Sequence, residues 1–178
     1  MMTGLKKLSA ICGVSSIIAI TLFYFGDEIK TSEKGLEIIG QAEGCRREPY
    51  KCPANVLTVG IGSTEQSGGK IEHRVYTDLE IASRWKTDIK KAEQCVFQYA
   101  NGRNIPQSVF DAAVSLTFNA GCGTVKNSTM FRKIKARDYL GACNELPRWV
   151  YAGGKKLPGL EIRREKEKAL CLTSLKRG

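Results

Sequence analysis

Histidine is all but missing from this chain, which carries one, His73, among 178 residues. A zinc centre needs three or four converging ligands, and no two cysteines have C-x-x-C spacing, so neither a metal site around His73 nor a dithiol redox motif is expected. Internal repeats and low-complexity tracts are lacking too. Acidic charge is in short supply, with 18 Asp and Glu against 28 Lys and Arg and a formal charge of +10. That excess suits a polyanionic partner, whether nucleic acid, an anionic membrane face or acidic cell-wall glycan with its peptide carboxylates, and equally a solvated basic surface with no partner. Charge alone does not choose among them.

Cysteine, by contrast, is plentiful. Seven in 178 residues are many for a reducing compartment and read as disulfide formers outside the cytoplasm, the odd count leaving one thiol over. The N-terminus offers a route there. Lys6 and Lys7 precede Leu8 to Gly26, nineteen residues without a charge, and Asp27 and Glu28 follow. As a helix that run is about 28 Å long, enough for a hydrocarbon core, and its flanking charges set the N-terminus in the cytoplasm and the rest outside. Phe23-Tyr24-Phe25-Gly26 offers no small-x-small cleavage site, which favours an anchor over a cleaved signal peptide. Ser9, Gly13, Ser15, Ser16 and Thr21 dilute the run, so insertion should be marginal and the segment could leave the bilayer. The expected organisation is a signal anchor over residues 1–26, a linker over 27–30 and one globular domain over 31–178, which 42% hydrophobic content can support.

Within the domain, a helix opened by Thr31 or Ser32 puts Leu36, Ile39 and Glu43 on one face and carries Glu43 into apolar surroundings at its last turn, a placement that suits a general acid. Gly44 ends it, and Pro49, Pro53 and Gly60-Ile61-Gly62 mark a turn-rich β segment that doubles back and brings Cys52 and Thr58 toward Glu43. Ser63 to Gly69 reads as loop and Lys70 to Val75 as a short strand or its edge. The capping box Thr77-Asp78-Leu79-Glu80, with Ala82, Trp85, Ile89, Ala92, Val96 and Tyr99 at helical spacing, predicts one helix over Thr77–Tyr99, roughly 34 Å long and too long for one small lobe to cover. Asn101-Gly102 stops it. Further helices are expected from Pro106 to Phe118, from Ser128, from Asp138 with Tyr139, Cys143, Leu146 and Val150 in period, and from Leu160 to Leu172, with Tyr151 to Gly159 a loop. The fold class is α+β, mainly helical.

Taken singly, Glu43 is an ordinary surface carboxylate at a helix end and Cys52 half of a structural disulfide. The ordered set is more specific: Glu, eight residues, Cys, five residues, Thr, then Gly-Ile-Gly. It resembles the active-site segment of the T-even type phage lysozymes, glycoside hydrolase family 24. That family usually has Asp at the position of Cys52 and His at that of Ser63, and a Glu-Cys-Thr version is similar to the signal-arrest-release (SAR) endolysins of some temperate phages. Thr117-Phe118-Asn119-Ala120-Gly121 is similar to the family's aromatic-amide-x-Gly stretch lining the cleft, and Gly159-Leu160-Glu161-Ile162-Arg163-Arg164-Glu165 to its late Gly-Leu-x-x-Arg-Arg-Glu motif. The resemblance covers about Thr31 to Leu172, and the anchor extends it to the SAR subgroup. It implies a lysozyme-like two-lobed domain, with a small β-hairpin lobe, a long connecting helix and a helical C-terminal lobe, preceded by a membrane anchor helix. It also implies peptidoglycan as substrate, cut between N-acetylmuramic acid and N-acetylglucosamine. No cofactor, metal or nucleic acid is called for, and a monomer is expected, first at the host inner membrane facing the periplasm and then released into the periplasm.

In such a site Glu43 protonates the leaving oxygen, Cys52 takes the place the resemblance assigns to the water-activating carboxylate, and Thr58 orients the water. A thiol has a reference pKa of about 8.5, so a thiolate that polarises water and one that attacks the anomeric carbon both remain open, the first favoured by spacing that matches the inverting family. Phe118 offers a sugar-stacking face and Asn119 an amide for N-acetyl groups, although Phe118 also reads as a core aromatic. Arg163 or Arg164 could pair with Glu43, or both could belong to a solvated basic face. Two other classes compete. A cysteine peptidase or amidase with Cys52 as nucleophile and His73 as base leaves Glu43 and Thr58 unexplained, and a membrane-tethered basic adaptor uses none of the motif.

Cys143 with Cys171 and Cys95 with Cys122 are the expected structural disulfides, although four cysteines allow three connectivities. Of Cys12, Cys45 and Cys52, only two can pair at once. In the bilayer Cys12 lies roughly 22 Å below the outer face, leaving Cys45 and Cys52 as a couple that would occupy the catalytic thiol. On release, Cys12 could attack the Cys45 sulfur and expel Cys52 as a thiolate, as the SAR resemblance also implies. The bland alternative is that Cys12 is a small hydrophobe in an apolar helix and Cys45-Cys52 a permanent bond.

Overall fold

The computed structural model describes residues 10–52 and 55–175. Expectations on Lys6, Lys7, Leu8, Ser9 and Pro53 lie outside these residues. Ser32 accepts a hydrogen bond from the Gly35 N–H and opens helix α2 (Glu33–Glu43), whose inner face buries Leu36 and Ile39 completely. The start of α2 is fixed to the rest of the domain by two buried carboxylates. Glu93 accepts from the N–H groups of Lys30 and Thr31 and from the Thr31 hydroxyl at 2.6–2.7 Å, and Asp111 accepts from the Ser32 N–H at 3.0 Å. Gly44, at φ +71, turns the chain into an antiparallel sheet of β1 (Arg46–Lys51), β2 (Leu57–Gly60) and β3 (Ser63–Thr64), with Tyr50 opposite Thr58. A one-turn helix α3 (Glu65–Gly68) follows.

The Thr77 capping box opens α4 (Asp78–Tyr99), which carries fully buried Trp85 and Ile89 between the hairpin side and the helical side. Helix α5 (Gln107–Ala120) runs through the core of the C-terminal part, followed by α6 (Cys122–Val125), α7 (Thr129–Lys135) and α8 (Tyr139–Asn144). After a two-stranded ribbon of β4 (Tyr151–Ala152) and β5 (Lys155–Lys156), α9 (Pro158–Cys171) packs back across α5 and α2. The molecule is mainly helical with small antiparallel sheets.

The N-terminal run departs from expectation. Instead of one helix over Leu8–Gly26, helix α1 is Val14–Phe25, and residues 10–12 lie extended along β1. The Cys12 N–H donates to the Cys45 carbonyl at 3.3 Å, the Arg47 N–H to the Ala10 carbonyl at 2.8 Å and the Arg47 guanidinium to the Ile11 carbonyl at 2.7 Å. Added strand pairing satisfies this backbone in place of helix, the Cys12–Cys45 disulfide fastens it there, and Gly13 marks the change. Helix α1 then buries Ile17, Ile18 and Thr21 against α4 and α2. It comes so close to Gly40 that a Cβ there would lie 2.6 Å from Val14 Cγ1. Among the described residues no helix is long and apolar enough to cross a membrane.

Smaller corrections follow the same logic. Ser63–Gly69 is not loop but β3 and α3, because Thr64 and Ser67 form a reciprocal cap. Lys70–Val75 is irregular rather than strand, its backbone tied instead to Glu65, to the Tyr76 hydroxyl and to Arg84. Helix α8 stops at Asn144 and does not run to Val150, since Pro147 lies in the 3-10 turn that follows. The Tyr151 to Gly159 loop contains the β4–β5 ribbon, turned by Gly153 and Gly154 at positive φ.

Candidate active site

Glu43 ends α2 beside the Gly60–Gly62 turn. Its Oε1 accepts a hydrogen bond from Arg163 Nη1 at 2.7 Å, Arg163 being almost fully buried and reaching over from α9. Of the two arginines open at the sequence level, Arg163 is the one that meets Glu43. The other carboxylate oxygen faces the turn: a Cβ built on Gly62 would sit 3.4 Å from Oε2, and Gly62 is held at φ +74, so glycine is what leaves room there. Glu43 is thus clamped on one oxygen and open on the other.

Cys52 and Thr58 meet through one backbone atom. The Val56 carbonyl accepts from the Cys52 N–H and from the Thr58 hydroxyl, each at 3.0 Å, while Cys52 O accepts from the Asn55 N–H at 2.8 Å. Thr58 is buried, and with its proton committed to Val56 its lone pairs are the part left to accept a donor such as water. Tyr50 lies opposite Thr58 in the register. Its phenol is pushed above its ordinary pKa first by burial and then by the negative charges of Glu43 and Cys52, with Arg46 opposing, so one ring feels both groups.

Phe118 and Asn119, at the C-terminal end of α5, line an open cleft of about 500 Å³ together with Gly62, Thr64, Ser67 and Asp88. Glu43 borders this cleft behind Gly62, and Cys52 and Thr58 are not among its lining residues. Asp88 is buried in the cleft wall, where its Oδ2 takes the Ser63 hydroxyl. Burial raises its pKa, with Ser63, Ser67, Lys91 and Arg84 opposing. His73 is exposed, in a surface hollow with Glu48, Pro49, Arg74 and Val75.

Three disulfides are present: Cys12–Cys45, Cys95–Cys122 and Cys143–Cys171. Cys52 is half-buried and keeps its thiol. The Cys45–Cys52 bond expected for the anchored state is therefore not the one this structure holds. Sequence reasoning also missed Glu167, a fully buried carboxylate that bonds Arg163, Arg164 and Ser115 beneath the site. Its spacing, four residues after Arg163 and three after Arg164, is the one signal that could have found it.

A small hairpin lobe and a helical lobe joined by one long helix, with a clamped carboxylate beside the hairpin, define a lysozyme fold. The phage lysozyme family matches residues 40–167, and the chain belongs to that family. The SAR-endolysin of Escherichia phage P1 is 38% identical over 177 residues, an alignment covering 93% of this chain and 93% of that one. The solved active form of the P1 phage endolysin Lyz superposes with a TM-score of 0.87 at 38% identity, over 94% of this chain and 97% of its own. The solved secreted inactive form of P1 Lyz gives 0.57 at 38% identity, over 82% of this chain and 97% of its own. The chain is a glycoside hydrolase, a lysozyme of the phage endolysin type.

Proposed function

We propose that this lysozyme is an exported muramidase that hydrolyses the bond from N-acetylmuramic acid to N-acetylglucosamine in peptidoglycan, with Glu43 as acid, Cys52 as the group that activates water and Thr58 as its orienter. The observation that carries this reading is the arrangement at the hairpin: Glu43 stands open on Oε2 at Gly62, while Cys52 and Thr58 share the Val56 carbonyl. Oε2 delivers its proton to the glycosidic oxygen, and the Cys52 thiolate takes a proton from water, whose hydroxide adds to the anomeric carbon as that bond breaks. Thr58 accepts the water's second hydrogen. Phe118 and Asn119 bind the sugars along the cleft, by stacking and through the amide.

The same reading assigns control to sulfur. Residues 1–26 anchor the chain in the host inner membrane, facing the periplasm, with residues 27–30 as linker and 31–178 as catalytic domain. A Cys45-Cys52 bond keeps the thiol occupied, and after release the Cys12 thiolate attacks Cys45, forms the new bond and expels Cys52. What supports this is the Cys12–Cys45 bond with Cys52 as a thiol, in a structure that is more similar to the active form of P1 Lyz than to its secreted inactive form. The enzyme acts as a monomer without cofactor.

Glu43→Gln keeps shape and removes the proton donor. Release of new reducing ends from purified cell wall should fall by about 10²–10⁴-fold while the melting transition stays intact. A near-native rate, or free amines in place of reducing ends, would overturn the assignment.

A further inference from the structure

Beneath the site lie two arginines and a buried glutamate that the proposed mechanism does not use. Arg163 Nε donates to Glu167 Oε1 at 3.1 Å while its Nη1 holds Glu43, and its Nη2 donates to the Ser115 carbonyl at 3.2 Å. Arg164 Nη2 donates to the same Glu167 oxygen at 3.1 Å and to Asn119 Oδ1 at 3.0 Å, and the Ser115 hydroxyl caps that oxygen at 2.6 Å. Two cations therefore face two anions, and one oxygen of Glu167 is the shared point. Its own carboxylate is fully buried, and its side chain meets no sugar-accessible surface.

From this geometry we infer that Glu167 is a positioning residue for catalysis: it fixes Arg163 against Glu43 on one side and Arg164 against Asn119 on the other, tying the acid to the cleft wall. The inference rests on the muramidase reading of Glu43 and Asn119. A guanidinium offers its donors in a rigid plane, so the carboxylate that holds Arg163 Nε sets the direction of Nη1. Glu167 also divides the charge of Arg163 between two anions. Burial pushes its pKa up and the two arginines pull it down, so it is the arginines that make a carboxylate tolerable there. Arg164 is pushed down to about 10 by burial, with the charge of Glu167 opposing and that of Arg163 adding to the fall. Of the elements packed against α9, α5 presents the neutral Ser115 and Asn119, its one carboxylate, Asp111, being bonded to Ser32 and Gln107; α2 presents Glu43, its Glu33, Lys34 and Glu37 being exposed; and Arg148 turns outward to Glu145.

The consequence is a pH signature. With Glu167 neutral, Arg163 loses the charged partner that sets its plane, so the placement of Glu43 and the charge around it change together. In the disulfide-exchanged, full-length enzyme, Glu167→Gln should lower kcat at least about tenfold and displace the alkaline limb of its pH profile, while raising KM through Asn119. Glu167→Asp, which keeps the charge, should return the limb to its original position. An unchanged limb, with activity falling only as the folded fraction falls, would overturn the inference. Should Glu167→Gln fail to fold, Ser115→Ala decides by the same criterion: it keeps every charge and removes the cap on the shared oxygen, so a smaller movement of the limb supports the role and none refutes it. If Glu43→Gln remained active, the muramidase reading itself would fall instead.

Discussion

Glu43 and Cys52 flank one hairpin but are held by different forces. Glu43 ends a helix whose inner face is buried, whose start is bolted to α4 and α5 through Glu93 and Asp111, and whose carboxylate is clamped by Arg163. Cys52 closes a short strand and is fixed by backbone bonds across four residues, and in the proposed control its sulfur is a thiol only when Cys45 pairs with Cys12, 33 residues away. On that proposal folding places the acid, and sulfur chemistry decides the thiol. A lysozyme controlled at the thiol can be completely folded around its acid and still be silent.

The largest effect that would break this contrast is at the thiol. Cys52→Ala should lower cell-wall hydrolysis about 10²–10⁴-fold with Glu43 still clamped, as loss of a water-activating group does. Cys52→Asp should restore hydrolysis and make it indifferent to reductant, since a carboxylate can activate water but cannot be caged. Alanine at a near-native rate would remove Cys52 from the mechanism.

A smaller effect sharpens the other side, the rigidity around the acid. Asp88 packs against Ser63, and burial raises its pKa. A carboxyl that binds its proton more tightly when folded favours the fold at low pH, and that contribution is lost as pH rises from the unfolded value, about 3.9, through the higher folded one. Asp88→Asn should therefore raise stability at neutral pH by about 1 kcal/mol, a Tm gain of about 2–4 °C, and flatten its dependence on pH above about 4. Thermal melts across pH check this, and a loss of stability at pH 7 would contradict it.

Much of this architecture could be read from residues. Ser32, the Thr77 capping box, Gly44, Asn101, Ser128 and Asp138 are local signals, and the structure puts helix boundaries where such signals act. What escaped was non-local. The extended path of residues 10–12 exists because β1 and Cys45 receive it, and between Leu8 and Gly26 only Cys12, expected to bond Cys45 on release, points to it. Lys70–Val75, expected as a short strand or its edge, finds no strand to pair with among the described residues. The choice of Arg163 over Arg164 depends on how α9 is rotated against α2, and Glu167 matters because both arginines converge on it in space.

The claim that sulfur, not folding, sets activity is tested most directly with Cys12→Ser, extracted from the membrane and assayed on purified cell wall before and after a mild thiol reductant. The account predicts a folded protein with Cys45 bonded to Cys52, no measurable hydrolysis at first, and activity that appears once reductant is added. Full activity without reductant would contradict it, even with Glu43 still required.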